Sequence, residues 1–205
     1  MNTLDALIAR FEQFPGVGAR QARRFAFHLL TLPEGETKEL ATLITELPST
    51  VRECESCRRF FAQNGGGNLC SICNDPNRDR TRLLVVERDA DIQPIERAGV
   101  YDGLYFVLGG TVPLLKSKEG APLRANGLKK IVTERQSEGL SEIILAFSVN
   151  PDGENTIRFI RSQLSEVLHE GHSIAISELG RGLSTGSELE YADPETLKNA
   201  LQNRH

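Results

Sequence analysis

Apolar residues recur at helical spacing three times within the first fifty positions. Leu4, Leu7, Ile8 and Phe11 share one face and predict a first helix. Pro15-Gly16-Val17-Gly18 interrupts it. Ala22, Phe25, Ala26, Leu29 and Leu30 then form the stripe of a second helix, with Arg20 and Arg24 nearly opposite and Arg23 on the flank. Leu40, Leu43, Ile44 and Leu47 mark a third, which Pro48 ends or lies just beyond. The stretch from Cys54 to Cys73 is too short to hold a core of its own. After Arg82 the texture changes. Residues 83–86, 104–108 and 143–147 are continuous apolar runs, as buried parallel strands are, and 174–176 suggests a fourth. Helical patterns lie between them, clearest in Ile157, Ile160, Leu164, Val167 and Leu168. Strands alternating with helices predict an α/β layer with a largely parallel sheet.

Composition adds limits. The chain has 205 residues, 39% hydrophobic and 25% charged, ordinary values for a globular protein. No apolar run approaches the roughly 18 residues that span a bilayer. The first residues carry acids inside an apolar pattern, unlike a signal peptide, so a cytoplasmic location is expected. The net charge of −4 excludes a generally basic surface for nucleic acid. The charge is uneven, however. Residues 1–30 hold four arginines against two acids, and residues 52–82 hold six against four. From residue 83 onward 13 bases face 18 acids. Phosphate contacts are therefore expected to be local and N-terminal.

All four cysteines fall in one pattern, Cys54-x2-Cys57-x12-Cys70-x2-Cys73. Two residues between cysteines let both thiolates of a knuckle reach one ion, and two knuckles complete a tetrahedral Zn²⁺ site. The return includes Gly65-Gly66-Gly67. Disulfides are the alternative, disfavoured in a reducing compartment. With four sulfur ligands no coordination position is left for substrate, so the zinc is expected to be structural.

The turn Pro15-Gly16-Val17-Gly18 between two helices predicts exposed N–H groups beside a positive helix N-terminus, where glycine allows a close approach by phosphate. Helix, turn and helix with outward arginines predict a helix-hairpin-helix that grips the DNA backbone without reading sequence. Gly16, Gly18, Arg20 and Arg24 are the expected DNA contacts. His28 is expected to be a partly buried, hydrogen-bonded side chain rather than a ligand.

Glu87 follows the apolar run 83–86, at the end of a strand where α/β sheets place function, and Asp89 and Asp91 come directly after. A strand ending in Glu, with a later strand, turn and helix, resembles a Toprim domain, whose second strand carries an Asp-x-Asp pair that joins the Glu in binding metal. Aligned on Gly153-Glu154, those two positions fall on Ser148 and Asn150, so two of three carboxylates are missing. Asp89 and Asp91 sit on the same turn as Glu87 and do not replace them across the sheet. A Mg²⁺-dependent nuclease or primase using Glu87 with Asp89, Asp91, Asp152 or Glu154 is the rival expectation.

Taken in order, Phe14-Pro15-Gly16-Val17-Gly18 through Phe25–Leu30, the four cysteines, Tyr105–Gly110 and Leu189-Glu190-Tyr191-Ala192-Asp193 resemble the RecR family of bacterial recombination mediators over nearly the whole chain. The resemblance implies a non-enzymatic homo-oligomer, a dimer or tetramer, that clamps single-stranded, double-stranded or gapped DNA. It implies work with RecO, and often RecF, to load RecA onto strands coated by single-strand-binding protein. The degenerate Toprim domain then becomes a partner-docking surface, with Glu87 and Glu154 as its candidate residues. Phe106 stands where the family usually has His, Pro113-Leu114-Leu115 where it has Ser-Pro-Leu, 147–150 where it has Thr-Asn-Pro-Thr, and Ser177-Glu178 where it has Thr-Arg. These departures mark a divergent member and cluster away from the hairpin. No P-loop lysine motif occurs, so ATP hydrolysis is not expected. The expected organisation is a helix-hairpin-helix over 1–50, a zinc module over 51–78, a Toprim domain over 79–172 and a C-terminal tail over 173–205.

Overall fold

The structure, a computed structural model, describes residues 2–63, 66–114, 123–168, 174–180, 182–183, 186, 188, 190, 192 and 194–202. Gly65, Leu115, and Leu189, Tyr191 and Asp193 of the tail motif lie outside these. The chain divides into two units, residues 1–51 and 52–205.

The first unit is helical. Helix α1 (Thr3–Phe11) starts at Asn2, whose side chain accepts from the Asp5 N–H at 2.8 Å. Helix α2 (Ala19–Thr31) buries only Ala22 and Ala26 of its stripe, and His28 is exposed, contrary to the expectation of partial burial. Helix α3 (Glu34–Thr50) does not stop at Pro48. A proline in the last turn loses a single N–H bond, and nearby groups close the end. The Ser49 hydroxyl donates to the Glu46 carbonyl at 2.7 Å, and the Val51 N–H donates to Leu47.

At the start of the second unit, β1 (Val51–Glu53), which begins on the boundary residue Val51, pairs with β2 (Phe60–Ala62), and the short helix α4 (Ser71–Asn74) follows. The main sheet holds β3 (Asp79–Val86), β4 (Gly103–Val107), β5 (Glu142–Ala146) and β6 (Ala175–Glu178) in the order β4-β3-β5-β6, every pairing parallel. The helices are α5 (Ile92–Ala98), α6 (Ala125–Gln136), α7 (Pro151–Ser165) and α8 (Pro194–Gln202). Helix α7 ends before Val167 and Leu168, which still pack against the core.

Strand side chains alternate, so each apolar run serves two cores. Leu83, Val85, Leu104, Phe106, Ile143 and Leu145 face α6 and α7, meeting Leu128, Val132, Ile160 and Leu164. Leu84, Val86, Tyr105 and Val107 face the other way, against Ile92 of α5 and all four cysteines. The cysteine module therefore covers part of the face that a second helix would otherwise cover. Among the described residues no helix is long and apolar enough to cross a membrane.

Candidate metal centre and nucleic-acid interface

The four cysteines are buried, and their sulfur atoms all lie within 4.8 Å of one another. Tetrahedral Zn²⁺ with Zn–S near 2.3 Å requires sulfurs about 3.8 Å apart. Cys57 Sγ and Cys70 Sγ stand 3.6 Å apart, far beyond a disulfide bond of about 2.05 Å. None of the four forms a disulfide. The first knuckle is closed by the Arg58 N–H donating to the Cys54 carbonyl at 2.9 Å and the Cys54 N–H donating to Arg59 at 2.8 Å. The turn puts Arg58 in the left-handed region at φ 63°. The Cys70 N–H donates to Cys54 Sγ at 3.3 Å, a bond that favours thiolate. The Cys54 pKa is pushed down by hydrogen bonds from Cys57, Cys70 and Cys73, while Cys57, donating to Cys54, is pushed up. Full ionisation of such a buried cluster needs a cation at its centre, which is what the donor set fits.

Long-range contacts fasten this module to β4 and α6, and none was visible in local spacing. The Val107 N–H donates to the Cys57 carbonyl at 2.8 Å. Arg124, at the start of α6, donates to Glu53 at 2.9 Å and lies over the Phe60 ring. Arg135 of α6 donates to the Ser56 hydroxyl at 2.6 Å.

In the first unit, Phe11 packs edge-on against Phe25 and tilted against Phe14, both with ring centres 5.9 Å apart, and these contacts hold the hairpin between α1 and α2. Gly16 adopts φ +76°, which the turn requires and an L side chain resists. Gly18 takes an extended conformation as the N-cap of α2 and provides no side-chain cap. The leading N–H groups of α2 thus receive no side-chain oxygen. Arg20, Arg23 and Arg24 are all exposed, and α2 contains no acid. The predicted DNA residues Gly16, Gly18, Arg20 and Arg24 are therefore gathered on one turn and one helix.

Strands β3 and β5 are neighbours whose connections leave in opposite directions, so the crevice at their carboxyl ends is the switch point of the sheet. Glu87 lies there with its side chain 13% exposed, paired to Arg88 at 2.6 Å. Across the crevice the Asn150 side chain caps α7, accepting from the Gly153 N–H at 2.8 Å. Asp89 accepts from the Phe60 N–H at 2.6 Å, and Asp91 accepts from the Arg88 N–H at 2.7 Å. Asp152 accepts from the Leu114 N–H at 2.8 Å, and Glu154 is exposed on α7. Among the described residues the cysteines form the one group of three or more potential ligands close enough to hold an ion.

A helix-hairpin-helix, a four-thiol centre and a Toprim-type parallel sheet with an uncharged second arm together define the class of recombination and repair proteins. Residues 4–47 match the RecR helix-hairpin-helix family, 81–176 the Toprim domain and 182–205 the RecR C-terminal family. The recombination protein RecR of Rubrobacter xylanophilus is 38% identical over 202 residues, covering 98% of this chain and 96% of the relative. RecR of Bifidobacterium longum is 36% identical, covering 98% and 94%, and that of Legionella pneumophila is 34% identical, covering 100% and 96%. The chain belongs to the RecR family.

Proposed function

We propose that this chain is a DNA-binding recombination mediator without catalytic activity of its own, acting in the cytoplasm. It works with RecO, and with RecF where that protein takes part, to load RecA onto gapped or single-stranded DNA coated by single-strand-binding protein. The observation that carries this reading is the uncapped start of α2, flanked by Gly16 and Gly18 and bearing exposed Arg20, Arg23 and Arg24 with no acid on the helix. Backbone N–H groups and guanidinium forks together fit phosphate. Relatives carrying the name recombination protein RecR over nearly the full length support the same role.

The four-cysteine module holds structural zinc through Cys54, Cys57, Cys70 and Cys73, and the module order over 1–50, 51–78, 79–172 and 173–205 follows. Exposed Phe25, Phe27 and Leu30 on α2, and Leu43, Ile44 and Leu47 on α3, suit a homo-oligomer that covers them. Glu87 and Glu154 at the sheet's switch point serve as an acidic docking surface for a basic partner. The Mg²⁺ enzyme reading is weaker, since Asp89, Asp91, Asp152 and Asn150 are all engaged with backbone N–H groups.

The test is RecA loading, read as its DNA-dependent ATPase on strands coated by single-strand-binding protein, with cognate RecO present. A shortened lag that disappears in Arg20→Ala/Arg24→Ala supports the reading. No effect from a folded, zinc-loaded chain overturns it, and Mg²⁺-dependent cleavage lost in Glu87→Gln would install the enzyme reading instead.

A further inference from the structure

Arg135 is 5% exposed, a rare position for arginine. Its Nη2 donates to the Ser56 hydroxyl at 2.6 Å, but its Nη1 is buried with no hydrogen-bond partner among the described residues. Arginine keeps its charge in proteins, and a buried cation without a counter-ion is strongly unfavourable. The carboxylates around it do not supply one. Glu55, Glu134 and Glu138 line the same cleft but are exposed, and Glu55 accepts from Asn68 while Glu134 faces Lys130 at 3.8 Å. Arg58, Arg80 and Lys130 line the same cleft and add no counter-charge, and beside them lies the four-cysteine centre: Ser56 sits inside the Cys54-x2-Cys57 knuckle, and Cys73 lines the cleft with Arg135.

The structure assigns Arg135 as the outer-sphere cation of the tetrathiolate centre, a positioning residue that offsets its charge and holds the first knuckle through Ser56. Zn²⁺ with four thiolates carries a net charge of −2, which a dry environment penalises. A guanidinium fixed on α6 lowers that penalty and favours thiolate over thiol. Outer-shell partners of this kind tune metal affinity by roughly 10- to 100-fold. The assignment rests on the structural-zinc reading above.

The experiment uses the full chain as wild type, Arg135→Lys, Arg135→Gln and Arg135→Met. Metal content is measured by mass spectrometry, Zn²⁺ affinity by competition with a chromogenic chelator, and thiolate character by the charge-transfer band of the Co²⁺-substituted protein. The expected result is zinc in the wild type, with affinity roughly 10- to 100-fold weaker in Gln and Met and largely kept in Lys. The Co²⁺ band should move to lower energy in Gln and Met, because less stabilised thiolates give up charge more readily, and should return in Lys. Folded Gln with wild-type affinity and band overturns the assignment, since Gln carries no charge. If Met does not fold, the comparison of Gln with Lys still decides. A zinc-free wild type overturns the metal reading and this assignment together; zinc-loaded variants indistinguishable from wild type overturn this assignment alone.

Discussion

The main-chain N–H of Val107 donates to the carbonyl of Cys57 at 2.8 Å, tying the first cysteine knuckle to the outer strand of the parallel sheet. β4 lies at the end of the strand order, so this bond occupies a donor that an open edge would leave free. The cysteines also share a core with Leu84, Val86, Tyr105 and Val107. Metal removal should therefore destabilise the whole unit of residues 52–205, not only the knuckles. Stripping zinc with a chelator, or Cys57→Ser, should lower the melting temperature of the sheet followed by far-UV circular dichroism. An unchanged sheet transition in the metal-free protein would contradict this coupling.

Gly153 makes an equally specific demand. A Cβ there would lie 1.9 Å from the Ser148 carbonyl oxygen, a backbone atom that has no rotamer to escape into. The first turn of α7 would have to shift, together with the Asn150 cap. Gly153→Ala should cost on the order of 1–3 kcal/mol, as overpacked sites do. Urea unfolding should show a lower midpoint with an unchanged slope. Wild-type stability would mean that the turn is looser than its contacts imply.

Much of this was legible in the sequence because it is local. The CxxC spacing forces two thiols to one side of a knuckle, and the apolar runs are long because both sheet faces are covered. The polar start of β3, Asp79 to Arg82, was not legible, since its side chains at the end of the sheet are only half-buried or exposed. The helix boundary at Pro48 was misjudged because proline excludes one bond and not a final turn. Nothing in the spacing announced Arg124 with Glu53 or Arg135 with Ser56, contacts spanning 71 and 79 residues. Lone arginines on a helix look like solvated charges until the fold closes over them. The Asp-x-Asp loss was readable, but the engagement of Asn150 and Asp152 by backbone N–H groups was not.

Acid stability should carry a signature of Asp79. Asp79 accepts from the Thr81 hydroxyl at 2.6 Å, the Thr81 N–H at 2.8 Å and Arg82 Nε at 2.6 Å. The Thr81 hydroxyl first, then Arg82, pull its carboxyl from the usual 3.8 down to about 2. A folded-state value below the unfolded one means that the contribution is present above about pH 4 and is lost as pH falls toward 2. Asp79→Asn should flatten the stability profile across that window and leave the neutral-pH slope alone. The opposite limb belongs to Tyr105, pushed up by burial and then by its bond to Glu96. Its contribution is complete below the ordinary tyrosine value near 10 and is lost at higher pH.

The two glycines of the hairpin should separate folding from DNA binding. Gly16 has φ +76°, so Ala there strains the turn by about 1–2 kcal/mol. Gly18 has an ordinary extended backbone, and an added Cβ would meet nothing within 4 Å. Gly18→Ala should therefore still fold, losing only the modest preference for Gly over Ala at an N-cap. Its methyl group would stand at the start of α2, where phosphate is proposed to approach the backbone. Binding to DNA of any sequence should weaken in Gly18→Ala with the fold kept, whereas Gly16→Ala should lose both. Arg20→Ala/Arg24→Ala gives the charge counterpart: the slope of log affinity against log salt should become shallower by about two, one for each phosphate contact removed. Fluorescence anisotropy over a salt series measures all three variants. Full affinity in Gly18→Ala together with an unchanged slope in the arginine double variant would move the DNA site off this hairpin.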